Sequence, residues 1–466
     1  MAVTESIGTV IVGGGITGLA AAERLTRAGA PFLLLEADTR LGGKIVTERT
    51  RGYVIEGGPD SFLAAKPGGL ALIRQLGMEP RLRGTDPAHR RSYIKRRGRL
   101  YPLPEGLTGL VPSRLLPLAT TRVLSLMGRL RAALETVIPG RPGDDESIAR
   151  FVTRRFGREA YDWLVEPLLS GIYAGDGEAL SLLSTFPQLA MIERTHGSIL
   201  RAMLRRHDNP ATLGTSPTGF VAPAGGLGEI VEKLAARLPA SSLRLGTAVA
   251  AIEADGTAYR IGLAAGGSLT ADHVILATPA YASAAMARSL DADLARELDA
   301  IPFISTATVS LVFPVAAIGR GFDGYGYVSP RAAGGPVVAC TWTSNKFPER
   351  VPAGGVLIRF FIGRAGHEDV VQLSDSDLET IARRELEQVF GLRATPALVR
   401  VFRWPRAMPQ YVVGHGARLE RIDRLVAGHP GLILAGASYR GVGIPDCVSS
   451  GWSAADRLLH TAGVAA

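Results

Sequence analysis

The stretch from Thr9 to Glu36 constrains the fold more than any other part of the chain. It begins with an unbroken apolar run, passes through the spacing G-x-G-x-x-G at Gly13, Gly15 and Gly18, and continues with a helical, alanine-rich pattern. A strand, a tight glycine turn and a helix in this order bring backbone N–H groups close to a pyrophosphate. Glu36 ends a second apolar strand, where a carboxylate can accept hydrogen bonds from ribose hydroxyls. The stretch therefore predicts a βαβ unit that binds a dinucleotide.

Two further glycine pairs follow this unit. Gly42 and Gly43 precede Lys44 in the segment RLGGK, and Gly57 and Gly58 open the segment GGPDSFLAAKP. A glycine pair can mark an ordinary turn, but a second pair so soon after the ribose carboxylate favours another close approach of backbone to cofactor. Gly-Gly-Pro imposes an irregular backbone, and loops of this kind often line sites.

Composition limits the class of protein. The 466 residues suffice for about two or three domains, and 46% hydrophobic with 20% charged residues is an ordinary globular balance. The formal charge of +9 is not gathered into basic blocks interleaved with aromatic residues, so we expect no nucleic-acid partner. A basic surface instead suits an anionic substrate or anionic lipid.

The two cysteines, Cys340 and Cys447, lie far apart and outside any C-x-x-C motif. This spacing argues against a disulfide framework or a metal site, and it favours a reducing, cytoplasmic setting. We also expect no export signal and no membrane-spanning helix, since no charge-free apolar window of sufficient length occurs. No Ser/His/Asp or Cys/His arrangement with motif spacing is present, so a bound cofactor is expected to carry the chemistry.

The opening unit, the RLGGK turn and the GGPDSFLAAKP loop together resemble the flavin-dependent porphyrinogen oxidases of haem synthesis, within the wider superfamily of FAD amine oxidases and carotenoid desaturases. The segments SGIYAGD from Ser170, CTWTSNKFP from Cys340 and GASYRGVGIPDC from Gly436 match further motifs of that family. The resemblance implies an α/β fold (α+β overall) with a Rossmann-like FAD domain of the p-hydroxybenzoate-hydroxylase type, a β-rich substrate domain and a helical lobe. The implied boundaries are residues 1–88, 214–290 and 405–466 for the discontinuous FAD domain, 89–213 for the lobe and 291–404 for the substrate domain.

The same resemblance implies site residues, position by position. Lys66 and Lys346 are the implied partners of substrate carboxylates, and Gly171, Val328 and Phe361 the implied contacts of the macrocycle. The implied FAD-binding residues are Gly13, Gly15, Gly18, Glu36, Gly42, Gly43, Lys44, Gly57, Gly58, Val249, Trp404, Gly436, Val442 and Ile444.

The chain carries one dinucleotide fingerprint, whereas flavin reductases that use NAD(P)H commonly carry two. We therefore expect reoxidation of FAD by oxygen or by another acceptor that is not NAD(P)H, with oxygen favoured. The resemblance implies three successive two-electron oxidations, each beginning with hydride loss from a methylene bridge, without a residue that acts as general acid or base and without a metal. His415 lies in an implied flavin-facing segment, and a structural role is favoured for it over a catalytic one.

Several alternatives stay open at this level. The lobe can be an ordinary helical subdomain or a surface that rests on the inner face of the cell membrane. Ser92 stands where mitochondrial and plastid relatives carry an arginine, which leaves the propionate anchor open. Charge complementarity slightly favours coproporphyrinogen III, with four carboxylates, over protoporphyrinogen IX, with two. Rivals are a FAD oxidase of amines or carotenoids and a non-catalytic flavin-binding protein. Ferrochelatase or another haem-pathway enzyme is an expected partner of a monomer or homodimer.

Overall fold

The computed structural model describes residues 5–104, 107–108, 111–112, 115–140, 143–207, 219–319 and 321–461. The predicted boundary between residues 213 and 214 lies outside these residues. The strands are β1 (Glu5–Val12), β2 (Leu33–Leu35), β3 (Thr47–Thr50), β4 (Tyr53–Glu56), β5 (Phe62–Leu63), β6 (Leu82–Gly84), β7 (Ser92–Arg96), β8 (Arg99–Pro102), β9 (Leu107–Thr108), β10 (Val111–Pro112), β11 (Phe220–Pro223), β12 (Leu243–Arg244), β13 (Val249–Asp255), β14 (Ala258–Leu263), β15 (Ser268–Leu276), β16 (Phe303–Pro314), β17 (Gly326–Val328), β18 (Val337–Trp342), β19 (Gly355–Ile362), β20 (Leu398–Pro409) and β21 (Leu432–Leu434).

Most of the helices flank two large sheets or form the lobe. One of them, α7, continues a π-helical turn at Tyr161–Val165. The α-helices are α1 (Ile16–Arg27), α2 (Pro67–Gln75), α3 (Leu115–Thr120), α4 (Leu126–Ala133), α5 (Ile148–Phe156), α6 (Arg158–Ala160), α7 (Glu166–Tyr173), α8 (Leu182–Thr185), α9 (Pro187–His196), α10 (Ile199–His207), α11 (Gly228–Ala235), α12 (Ala280–Ala287), α13 (Ala292–Asp299), α14 (Val315–Ile318), α15 (Thr343–Lys346), α16 (Asp375–Phe390), α17 (His415–Ala427) and α18 (Ile444–Thr461).

The first large sheet contains the βαβ unit that the sequence predicted. Its order is β12-β2-β1-β15-β14-β13, and β21 also pairs with β15. Alternate residues of β1 face opposite sides: Ile11 packs with α1, α2, α11 and α18, whereas Val10 and Val12 pack with α12, α13 and α17. The unbroken apolar run is thus explained, because helices cover both faces of this strand.

The second large sheet has the order β20-β16-β19-β18-β17-β7-β8. Its strands pair antiparallel except for β17 with β7, which are parallel. One face packs against α16 through residues such as Val309, Cys340 and Phe360. The opposite face carries Ile94 and Val328, which pack against helices of the lobe. The predicted β-rich platform is present. The sequence of residues 375–390 predicts an amphipathic helix, and this segment forms α16.

Several elements of the structure lie across or outside the predicted domain boundaries, which stay predictions. Strands β7 and β8 belong to the second sheet, although the predicted lobe begins at residue 89. Strand β20 crosses the predicted boundary between residues 404 and 405. Helix α13, which the prediction assigned to the substrate domain, packs in the core of the first sheet. Among the described helices, none is long and apolar enough to cross a membrane.

Candidate active site

The glycine turn after β1 has the geometry that a dinucleotide site requires. Gly13 has φ +106°, a conformation that favours glycine, and its N–H donates to the Leu35 oxygen at 2.8 Å. A Cβ on Gly18 would lie 1.9 Å from the Gly13 oxygen, so only glycine allows this helix to pack so closely. A Cβ on Gly15 would meet no atom within 4 Å. Gly15 is also the N-cap of α1 and provides no side-chain cap, so space and free helix N–H groups meet where a pyrophosphate would bind.

Glu36 lies at the end of β2, beside this turn. Its Oε2 accepts a hydrogen bond from the Gly14 N–H at 2.6 Å, and its Oε1 accepts one from the Asp38 N–H at 2.8 Å. A carboxylate has lone pairs beyond these two, so it can still accept from ribose hydroxyls. The Thr247 N–H donates to the Glu36 main-chain oxygen at 2.8 Å, which brings the segment leading to Val249 next to the carboxylate.

The second glycine pair packs directly on the first turn. The Gly42 N–H donates to the Gly14 oxygen at 2.8 Å, and a Cβ on Gly43 would lie 3.2 Å from the Gly15 Cα. Lys44 follows, and its ammonium donates to a main-chain oxygen of β20. Burial lowers the pKa of Lys44. The RLGGK turn therefore joins the fingerprint to the second sheet.

The Gly57–Gly58 loop is held by side chains of the second sheet. The Gly57 oxygen accepts hydrogen bonds from Trp404 Nε1 at 2.8 Å, Thr308 Oγ1 at 2.9 Å and Arg359 Nη2 at 3.1 Å. Arg359 Nη2 also donates to the Gly58 oxygen. The loop thus lies between the glycine turns at Gly13–Gly18 and Gly42–Gly43 and the second large sheet.

The C-terminal glycine motif returns to the same place. Gly436 has φ +119°, and a Cβ on it would lie 3.5 Å from Thr17 Oγ1 in α1. Half-buried Val442 leads into α18, which begins at buried Ile444. Helices α1 and α18 approach closely where a Cβ on Gly451 would lie 2.2 Å from the Thr17 oxygen. The two ends of the chain thus contribute adjacent helices to one site.

The three implied ring contacts lie in one region of the structure. Val328 pairs with Ala339, Ala339 with Phe361, and Phe361 with Thr308, so these side chains form a row on one sheet face. A Cβ on Gly171, in α7, would lie 3.3 Å from Val328 Cγ1. Because Thr308 also binds the loop described above, this row runs from the lobe to the cofactor side.

The two implied carboxylate partners are both engaged within the protein. Lys66 Nζ lies 2.5 Å from Asp446 Oδ2, and Lys66 is about half exposed, with 47% of its side chain accessible. Lys346 Nζ lies 2.9 Å from both carboxylate oxygens of Asp60, and both side chains are largely buried. Burial raises the pKa of Asp60, but the charges of Lys346 and Arg359 outweigh burial and hold it below its usual range. Lys66 is thus the more accessible of the two cations.

Sequence reasoning missed one residue of this region, Arg359. It is only 2% exposed, in the middle of the apolar run VLIRFFI, and a charged residue inside such a run was the available signal. Ser92 lies on the same sheet face, in a row that passes through Gly326 and Thr341 to Arg359. Strand β19 therefore places the buried charge of Arg359 in the same row as Ser92.

Tyr411 and His415 have structural partners. The Tyr411 hydroxyl donates to the Ala437 oxygen at 2.7 Å and accepts from the Gly441 N–H at 2.8 Å. The ring of Tyr411 stacks on His415 with centroids 4.3 Å apart, and His415 Nε2 lies 2.9 Å from the Tyr439 oxygen. Burial lowers the pKa of His415. Within the described part of the chain, no group of His, Cys, Asp or Glu side chains could hold a metal ion.

Comparisons with known proteins agree with this geometry. The model of the family "Flavin containing amine oxidoreductase" matches residues 16–459. Coproporphyrinogen III oxidase of Bacillus subtilis is 38% identical, with 97% of both chains covered. The Staphylococcus aureus enzyme of that name is 33% identical, with 98% of this chain and 99% of the relative covered. Chloroplastic protoporphyrinogen oxidase of Nicotiana tabacum is 29% identical, with 96% and 85% covered.

A crystal structure from Exiguobacterium sp. 255-15, described as a candidate protoporphyrinogen oxidase, superposes with a TM-score of 0.86 at 32% identity, covering 98% of this chain and 99% of that one. Cyclohexylamine oxidase from Brevibacterium oxydans shares the fold alone, with a TM-score of 0.70 at 18% identity and 98% and 99% covered. The glycine turns and Glu36 fit a flavin dinucleotide, and the family model matches nearly the whole chain. The chain belongs to the flavin containing amine oxidoreductase family.

Proposed function

We propose that this protein catalyses the FAD-dependent oxidation of a porphyrinogen to a porphyrin in haem biosynthesis, with coproporphyrinogen III as the favoured substrate. The observation that carries this proposal is the near-complete match to relatives named coproporphyrinogen III oxidase, at 33% to 38% identity. Identity to the relatives named protoporphyrinogen oxidase is lower, at 29% to 32%.

FAD would be held by the glycine turns at both ends of the chain. The N-terminus of α1 beside Gly15 would bind the pyrophosphate, and Glu36 would bind the adenosine ribose. The Gly57–Gly58 loop and Trp404 would border the isoalloxazine, and the start of α18 would lie at the ribityl chain. When bound, the flavin supplies a two-electron acceptor that oxygen can reoxidise.

The platform and the lobe would position the macrocycle. Phe361 and Val328 offer apolar contact from the sheet, and Gly171 leaves room for a flat ring against α7. Lys66, which is half exposed, can leave Asp446 for a substrate propionate at little cost, because exposed ion pairs are weak. The site residues described above include no free general base, so the protons released by the macrocycle would pass to solvent.

The test is anaerobic mixing of the yellow protein with coproporphyrinogen III and, separately, with protoporphyrinogen IX. Bleaching of the flavin absorbance, followed by porphyrin fluorescence after air is admitted, is expected with coproporphyrinogen III at the higher rate. Faster bleaching by protoporphyrinogen IX would reverse the substrate preference. Absence of bleaching with both, in protein that retains FAD, would contradict the proposal.

The rival oxidases of amines or carotenoids are less well supported. An amine oxidase of this fold would be expected to present free aromatic rings beside the flavin. Tyr411 is buried and its hydroxyl holds the C-terminal glycine motif through Ala437 and Gly441. Bleaching by a primary amine, with none by a porphyrinogen, would favour the rival function.

We also propose that the lobe contacts a membrane surface. Four apolar side chains at helical spacing, Met127, Leu130, Leu134 and Val137, are between 53% and 68% exposed along α4 and the turn that follows. The double variant with Met127→Ser and Leu130→Ser should sediment less with vesicles that contain anionic lipid. Val315→Ser, at a site 51% exposed on the substrate platform, is the matched control.

The proposed setting is the cytoplasm, at its inner membrane face. A monomer or homodimer would release its porphyrin to ferrochelatase or another enzyme of the haem pathway. Equal sedimentation of the double variant and the unmodified protein would contradict the membrane contact.

A further inference from the structure

Arg359 is a buried cation whose hydrogen bonds are incomplete. It is 2% exposed, and its Nη2 donates to the Gly57 oxygen at 3.1 Å and also to the Gly58 oxygen. Its Nε and Nη1 have no hydrogen-bond partner among the described residues. The guanidinium carbon lies 4.6 Å from the ring centroid of Phe361, one of the implied ring contacts. The charge therefore lies directly behind the Gly57–Gly58 loop, which would border the flavin in the proposed function.

The carboxylates around Arg359 are already paired with other cations. Asp60 binds Lys346 at 2.9 Å through both oxygens, and Glu56 lies 3.5 Å from Arg350 Nη2. Three cations and two carboxylates leave the cluster with one positive charge in excess. Burial raises the pKa of the Glu56 carboxyl, and its protonation would only add to that excess.

Burying a charge without its own counter-ion destabilises the folded protein, so a functional role would explain the presence of Arg359 at this position. Arg359 is too deeply buried for a substrate carboxylate to reach without movement of the loop. In the proposed reaction, a bound flavin would accept a hydride, which is one proton and two electrons, from a methylene bridge and would gain one negative charge. The substrate would be left with one positive charge, which it would lose as a proton to solvent. Oxygen would then take two electrons and one proton from the flavin and a second proton from solvent, which gives hydrogen peroxide.

We propose that Arg359 is a positioning residue for electron uptake, whose uncompensated charge behind the Gly57–Gly58 loop stabilises the anionic reduced flavin and fixes the carbonyls of that loop. The inference rests on the flavin of the proposed function but is independent of the identity of the substrate. Field effects of this kind are among the means by which a protein tunes a bound cofactor.

The test compares the flavin in three purified variants with that in the unmodified protein. Arg359→Met removes the charge, and Arg359→Lys keeps the charge without the planar fork. Arg364→Met is the matched control, because Arg364 is 1% exposed, lies just after the same strand, and has a carboxylate partner, Glu166, at 3.8 Å. Sulfite, which forms an anionic adduct with oxidised flavin, is the probe, together with a direct reductive titration.

Arg359→Met should weaken sulfite binding about tenfold, which corresponds to a two-electron potential about 30 mV lower. Arg359→Lys should stay within about threefold of the unmodified protein, and Arg364→Met should change little. Asp60→Asn, which adds to the positive excess, should strengthen sulfite binding. Because Asp60→Asn should change the sulfite affinity in the opposite direction to Arg359→Met, it still tests the inference if Arg359→Met fails to retain flavin.

Unchanged sulfite affinity and potential in Arg359→Met, or weaker sulfite binding in Asp60→Asn, would overturn the inference. A raised KM for the porphyrinogen with an unchanged potential would also overturn it, and would assign Arg359 to substrate binding. If the unmodified protein holds no flavin, the proposed function itself fails. The two failures are therefore distinguishable.

Discussion

Replacing Gly15 with alanine should separate cofactor binding from folding. Gly15 has φ −70° and ψ 177°, which alanine adopts without strain, and a Cβ there meets no atom within 4 Å. Alanine reduces the entropy of the unfolded chain, which stabilises by about 0.4–1 kcal/mol. It is also a poorer N-cap than glycine, which costs about 0.5–1 kcal/mol. The free energy of unfolding of the apoprotein should therefore change by less than about 0.5 kcal/mol.

FAD binding should respond very differently, because the added methyl group would occupy the space above the N-terminus of α1. We expect the Kd for FAD to rise at least about 100-fold, or about 2.8 kcal/mol, since 1.4 kcal/mol is tenfold. Quenching of FAD fluorescence by the apoprotein measures the Kd directly. Thermal unfolding with and without FAD gives a second reading, because the stabilisation by a ligand depends on its concentration relative to Kd.

Gly18→Ala is the control with the opposite profile. Its Cβ would lie 1.9 Å from the Gly13 oxygen, so the backbone must move and both apoprotein stability and FAD affinity should fall. If Gly15→Ala binds FAD within about threefold of the unmodified protein, the pyrophosphate does not lie at this helix N-terminus.

Further changes test other parts of the site. Glu36→Gln should raise the Kd for FAD about tenfold because the amide is a weaker acceptor for ribose hydroxyls, and equal flavin content after purification would contradict this role. Lys346→Met removes the ion-pair partner of the buried Asp60 carboxylate and leaves it the Ser61 hydroxyl and the charge of Arg359, so we expect urea unfolding to show a loss of about 3 kcal/mol. Lys66→Met should cost less than about 1 kcal/mol but raise the KM for the porphyrinogen, and an unchanged KM would place Lys66 outside the substrate site. The lowered pKa of His415 means that the unfolded state binds more protons below about pH 6.5, so stability should fall there by up to about 1.4 kcal/mol per pH unit. His415→Gln should lack that slope in urea titrations at pH 5.5 and 7.5, and an equal slope would contradict the assignment.

Local patterns predicted most individual elements well. The apolar run Val337–Trp342, which lies among Gly/Pro turns, predicts a strand, and β18 has those bounds. The amphipathic helix predicted over residues 375–390 is α16. The sequence after the C-terminal glycine motif predicts a last helix over residues 448–460. Helix α18 begins earlier, at Ile444, because Pro445 is accommodated in its first turn, where no intrahelical N–H is needed. The pattern of Leu243–Ile252 predicts one strand. The structure interrupts it after Arg244, since the chain turns beside Glu36 and resumes as β13.

Pairings between distant residues were not predictable in this way. The sequence predicted Lys66 and Lys346 as partners of substrate carboxylates without any sign that each lysine pairs with a carboxylate of the protein. Their carboxylate partners are 380 and 286 positions away in sequence. Such contacts depend on how the two sheets meet, and no local period or spacing records that arrangement.

The sequence by itself determined the dinucleotide unit, because steric rules at Gly13 and Gly18 act between residues close in the chain. It also determined the family, since the motifs of the family and their order along the chain can be read directly from the sequence. Only the tertiary structure decided that Val328 and Phe361 share one sheet face and that Arg359 lies behind the Gly57–Gly58 loop. The physical reason is strand register: a shift by one residue would turn each of these side chains to the opposite face, and register is set by packing across the whole domain.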